Sequence, residues 1–153
     1  EKIEELFVSG LLHDIGKIVE LLFMPKDFAE VASKVKEKNT LMVTAEENIL
    51  GYTHAEVGRL LAEKWNLPPR LVNVIANHHQ PGLAGRFLQE TAIVHFADIL
   101  CRAMNMGSGG DNKIPPLNKE AWESLQLELK AVEPIMEEME REFRDVSLFM
   151  NHR

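Results

Sequence analysis

An all-α chain forming a single compact helical bundle is what the sequence predicts, on three observations. Apolar residues recur at helical spacing along nearly the whole length, and no segment alternates as a half-buried strand does. Helix start and stop signals punctuate the chain at short intervals, as Pro, Gly, Thr and Asn between apolar stripes. The 153 residues suit one domain and are enough to bury a core.

The elements follow in order. A first helix is predicted over residues 4–22, with a bend at Gly16 where glycine allows one. Pro25 opens a second helix that sets Phe28, Val31, Ala32 and Val35 on one face. Thr44 and Glu47 have capping-box spacing and place a short helix over AEENIL, which Gly51 ends. Thr53 caps HAEVGRLLAEKW, whose Val57, Leu60, Leu61 and Trp65 form a stripe. Pro68 and Pro69 start LVNVIANHH, and QPG stops it. A long helix follows over residues 87–104, then the loop GSGGDNKIPP. Asn118 caps KEAWESLQL, and a last helix contains Pro134 in its first turns or at a kink. The expected organisation is a helical core over residues 1–106, a flexible loop over 107–117, and C-terminal helices over 118–153 packing on the same domain. The N-terminus begins inside a helical pattern, with Ile3, Leu6, Phe7 and Gly10 on one face, so the chain reads as a piece of something longer.

Composition excludes several classes. Net charge is −7 and no Lys/Arg cluster stands out, which argues against nucleic acid as a partner. No apolar run is long enough to span a bilayer, so no membrane partner is expected. The one cysteine, Cys101, precludes an intramolecular disulfide and suggests a reducing cytoplasm.

The residues that carry chemistry are polar groups set in apolar helices. His13 and Asp14 lie side by side in GLLHDIGKIVELL, and Asp98 lies in TAIVHFADILCRAM, apolar on both sides. A buried carboxylate must find a cation or take a proton. A divalent metal (iron, manganese, zinc or magnesium) would satisfy both places, because imidazole and carboxylate are its usual ligands. A hydrogen-bonded network, with Asp98 accepting from His13 or from a helix end, would serve as well, and the residues alone leave both open. His13 and Asp14 point about 100° apart on a regular helix, so both reach one ion only at an end or bend. His78 and His79 stand at a helix terminus before QPG, facing a possible cleft. His95 shares a face with Asp98 and reads as a packed histidine, and His152 is terminal. Lys17, one turn from His13, either contacts a substrate phosphate or extends along the surface from its helix. Ser9 and Cys101 have no paired base, which disfavours acyl transfer.

In this order the residues resemble the HD superfamily of metal-dependent phosphohydrolases. LLHDIGK is similar to its His-Asp doublet and ADIL to its later Asp, over residues 8–104. GYTHAEVGRLLAEKWNLPPRLVNVIANHH is similar to the layout of the GYP-type phosphodiesterases, which implies His54, His78 and His79 as further metal ligands. HHQPGLAGRF, however, lacks the acidic residue and the GYP loop that follow the His pair there. GLLHDIGK, HAEVG through WNLPP, IVHFAD and AWESLQL resemble instead the HD-related output domain, HDOD, a bacterial signalling module. That resemblance implies a bundle of the HD type and a regulatory, non-catalytic role. It also implies protein partners or linked sensor domains, and a superfamily histidine upstream of residue 1. The alternative is a phosphohydrolase acting on a nucleotide or cyclic dinucleotide, with His13, Asp14 and Asp98 on one metal, His54, His78 and His79 on a second, and a phosphate-containing small ligand.

Overall fold

The computed structural model describes the backbone of residues 2–151 and the side chains of residues 3–146; His152 lies outside the described residues. Every regular element among them is helical. In chain order these are α1 (Lys2–Leu12), α2 (Ile15–Phe23), α3 (Pro25–Lys38), α4 (Met42–Leu50), α5 (His54–Lys64), α6 (Pro69–Asn77), α7 (Leu88–Ala103), α8 (Lys119–Leu125) and α9 (Val132–Asn151). Short 3-10 turns at Pro81–Leu83, Gly85–Phe87 and Leu129–Ala131 join the later ones.

The predicted first helix is in fact two. It breaks at His13 and Asp14, ahead of Gly16, and Asp14 adopts φ −98° and ψ 10°. The break turns two adjacent side chains toward one side, which an unbroken helix cannot do. Gly16 lies inside α2 and serves close packing instead. A Cβ there would stand 1.8 Å from the His54 carbonyl oxygen, and one at Gly58 would stand 2.8 Å from Ile75 Cγ2. Because α2 and α5 approach so closely, the buried face of α5 is His54, Ala55, Gly58 and Ala62. The stripe expected on α5 is therefore displaced, with Leu60 58% and Trp65 54% exposed.

Two of the predicted caps hold. Thr53 and Glu56 form a reciprocal capping box on α5, and the Asn118 side chain accepts from the Ala121 N–H to start α8. The predicted Thr44 cap does not, because α4 begins at Met42 with Thr44 already inside it. Its first N–H donates to Asp111 Oδ2, 2.8 Å away and 69 residues further along the chain.

Val31 and Val35 of α3 pack with Met42 and Ala45 of α4, flanked by Phe28, Ile49 and Leu50. Leu71, Val74 and Ile75 of α6 and Ala92, Val94, Phe96, Ile99 and Leu100 of α7 are buried as well. Arg70 ties α6 to both neighbours, pairing with Glu5 of α1 and with Glu90 of α7. The α8 helix docks on α7 through an edge-to-face contact of Phe96 and Trp122, centroids 5.4 Å apart. Pro134 falls in the first turn of α9, where its missing N–H has no helical partner to lose. No helix among the described residues is long and apolar enough to cross a membrane.

Candidate metal centre

The α1–α2 break, the start of α5 and the end of α6 meet at one place. One ligand atom each from Asp14, His54, His78 and His79 lies within 4.8 Å of the others. Asp14 Oδ1 is 3.2 Å from His54 Nε2 and 3.7 Å from His78 Nε2. His79 Nε2 is 2.9 Å from His54 Nε2. His13 joins from the other side, with Nε2 3.4 Å from Asp14 Oδ2 and 4.0 Å from Asp98 Oδ1. Of the six residues singled out in the sequence as metal ligands, Asp14, His54, His78 and His79 come together, His13 stands beside Asp14, and Asp98 approaches His13.

The far sides of the rings are pinned. His13 Nδ1 lies 2.7 Å from the Gly10 carbonyl and His78 Nδ1 lies 2.8 Å from the Ile75 carbonyl, so each donates its Nδ1–H. His54 Nδ1 lies 2.7 Å from Glu46 Oε2 and donates there. Each hydrogen bond leaves the Nε2 lone pair pointing into the cluster, the tautomer a metal-binding imidazole needs. His78 Nε2 and Asp14 Oδ1 are both buried without a hydrogen-bond partner. Orphaned acceptors are expensive inside a protein, and here they converge with other lone pairs, as a cation site would have them. The donor set of three imidazoles and a carboxylate fits a divalent transition metal.

His95 stands behind this layer. Its Nδ1 donates to the His78 carbonyl at 2.7 Å, and its Nε2 accepts from the Asn118 N–H at 3.1 Å. Both nitrogens are engaged, so it is a packed histidine that steadies the end of α6. Lys17 donates to Asp14 Oδ2 at 2.7 Å and to the Gly109 carbonyl at 2.9 Å. Arg102 pairs with Asp111 and donates to the Lys113 carbonyl. These bonds tie residues 109–113 down beside the cluster.

The charges follow from burial and proximity. Burial works against ionising Asp14, but His13, His54 and Lys17 hold its carboxyl far below the usual range. Burial opposes charge on His54 and His13 too, yet their carboxylate neighbours, Asp14 foremost, raise both imidazoles. Burial pushes His78 well below its ordinary value, assisted by His79, and takes His79 down to about 3, assisted by His54. Asp98 is raised by burial.

Two buried carboxylates were not singled out in the sequence. Glu46, beside Met42 and Ala45 on the buried face of α4, hydrogen-bonds His54. Glu20 of α2 is buried nearby, and burial followed by the Glu46 charge raises its carboxyl to about 7. The available signal was a charge sharing a helical face with apolar residues, the same signal that marked Asp98.

A cavity of about 470 Å³ opens at His13, Asp14 and Asp98, walled by Leu6, Ile93, Val94 and Met106.

The chain is 28% identical over 104 residues to an uncharacterized protein of Treponema pallidum (strain Nichols), a match covering 67% of this chain and 20% of that protein. Its fold is similar to the crystal structure of an HDOD domain protein of unknown function from Geobacter sulfurreducens. The TM-score is 0.78 at 27% identity, over 92% of this chain and 51% of that one. The chain therefore spans about a fifth of the first relative and about half of the second. Residues 1–81, which carry the His-Asp doublet and the His pair, match the HDOD domain, and the chain belongs to that family.

Proposed function

We propose that this chain is a cytoplasmic, regulatory HDOD module of bacterial signal transduction that holds a divalent metal at Asp14, His54, His78 and His79, with His13 and Asp98 alongside. The observation that carries the reading is the convergence of pinned imidazole lone pairs on Asp14, where His78 Nε2 and Asp14 Oδ1 are buried and unpartnered. When bound, the ion supplies concentrated positive charge and Lewis acidity. The residues that would hold it come from the α1–α2 break, α5 and α6, so occupancy and helix packing are linked. A signal that alters one alters the other, and partner proteins or linked sensor domains would read the packing. The two cations beside the cluster favour regulation over turnover. Lys17 and Arg102 are already held by Asp14, Gly109, Asp111 and Lys113, and neither is free to grip a phosphate.

The cavity of about 470 Å³ at His13, Asp14 and Asp98 favours a second reading, metal-dependent hydrolysis of a phosphate-containing small ligand. The two separate cleanly. The protein loaded with Mn²⁺ is assayed on p-nitrophenyl phosphate, bis(p-nitrophenyl) phosphate and cyclic dinucleotides, beside its Asp98→Ala variant. The regulatory reading expects equal, background rates from both. Turnover that Asp98→Ala abolishes would replace it with the hydrolytic one.

A further inference from the structure

Glu46 is among the most deeply buried charges of the described residues, at 0% exposure, and its polar neighbours are His54 and the Glu20 carboxyl. His54 approaches it twice. The backbone N–H of His54 donates to Oε2 at 2.9 Å, and the ring Nδ1 stands 2.7 Å from Oε2 and 2.9 Å from Oε1. His54 is the first residue of α5, so its N–H is one of the donors that a helix start leaves without a partner. The positive end of the helix dipole adds to the attraction for a carboxylate there. Gly51 in the left-handed conformation and the Thr53–Glu56 capping box fix the turn that carries His54 past Glu46. On its other side the His54 carbonyl rests against Gly16, where a Cβ has no room. The backbone is thus held from two sides and the ring from a third.

We propose that Glu46 is the positioning residue of His54: by accepting from both its N–H and its Nδ1–H, it commits the ring to one tautomer and aims Nε2 at Asp14, His78 and His79. This rests on the metal-site reading above and adds a residue to it. A carboxylate behind a ligating imidazole does two things. It prevents the ring from flipping or exchanging tautomers, and its negative charge makes the opposite nitrogen a better donor. A burial that served packing alone would need neither the charge nor the aligned Nδ1.

Glu46→Gln and Glu46→Ala test this by two readouts. The first is the tautomer of His54 in metal-free protein, from long-range ¹H–¹⁵N spectra at a pH that leaves the imidazoles neutral. The wild type is expected to carry the proton on Nδ1, and Glu46→Ala a mixture of tautomers. The second is Zn²⁺ affinity by competition with a chromophoric chelator. Glu46→Gln keeps an oxygen acceptor while removing the charge, and about a 10-fold weakening is expected. Glu46→Ala removes both, and the loss approaches 100-fold. A His54 tautomer and a Zn²⁺ affinity unchanged in both variants would overturn the proposal. If Glu46→Ala does not fold, Glu46→Gln decides alone, since a purely structural role predicts wild-type affinity for it. If the wild type binds no Zn²⁺, the metal reading fails, and the tautomer still decides whether Glu46 positions His54.

Discussion

Glu20 carries both carboxylate oxygens into the interior with no hydrogen-bond donor against either, and the Glu46 charge is nearby. Its carboxyl, raised to about 7 by burial and then by Glu46, remains protonated well above the range of a free glutamate. The sign follows from the two states. The folded form keeps a proton that the unfolded chain has released, so stability contributed by the neutral acid is full below the unfolded value of 4.5 and is lost as pH rises toward 7. Glu20→Gln, a neutral amide of the same shape, removes that loss. Relative to wild type, the variant is expected to gain on the order of 2 kcal/mol between pH 5 and pH 8, since each tenfold change in proton affinity is worth about 1.4 kcal/mol. Urea titrations at both pH values measure it, and a difference that does not change with pH would contradict the account. At this scale the sequence is readable where a charge interrupts an apolar helix on every side, as Asp98 does. Glu46 escaped notice because the helix carrying it was placed from a local Thr44–Glu47 pair, which set the wrong starting turn and hid its buried face.

At the scale of elements, what reads correctly from sequence is what neighbours along the chain decide. Thr53 and Asn118 cap the residues just after them, and Pro69 opens α6, which ends at Asn77, three residues before Gln80 of QPG. What misleads depends on distant contacts. The N-terminus of α4 is capped by Asp111, and the buried face of α5 is chosen by how closely α2 lies against it. The glycine contact is the more demanding of these. Gly16→Ala places a methyl 1.8 Å from the His54 carbonyl and 2.9 Å from the Gly58 nitrogen, backbone atoms that cannot step aside singly. The expected cost is about 3 kcal/mol or more, the upper range for overpacking, together with displacement of His54. Chemical denaturation reads the first effect and Zn²⁺ affinity the second. A variant as stable as wild type would mean that the helices do not pack this closely.

Over the whole molecule, the site is assembled from elements far apart in the chain: the α1–α2 break, the α5 N-terminus, the α6 C-terminus and α7. The bundle positions groups that no single helix could bring together. Most of the candidate ligands sit at a helix end or break, because there a side chain reaches inward. His13, Asp14, His54, His78, His79 and Asp98 were legible as polar residues in apolar surroundings; their distances and pinned tautomers were not, because both come from packing. The arrangement commits interior volume to lone pairs that lack hydrogen-bond partners, and a bound cation would offset that through ligation and stability together. The most direct measurement is the metal content of protein prepared without chelator or affinity-tag histidines, beside its His78→Ala variant. His78 is chosen because its Nε2 is buried and unpartnered. The account predicts about one divalent ion per chain in the wild type, a large fall in a folded His78→Ala, and a thermal midpoint in the wild type that drops when the metal is stripped. A folded wild type with no metal that takes up none of iron, manganese or zinc, or a His78→Ala variant that retains the full complement, would contradict it.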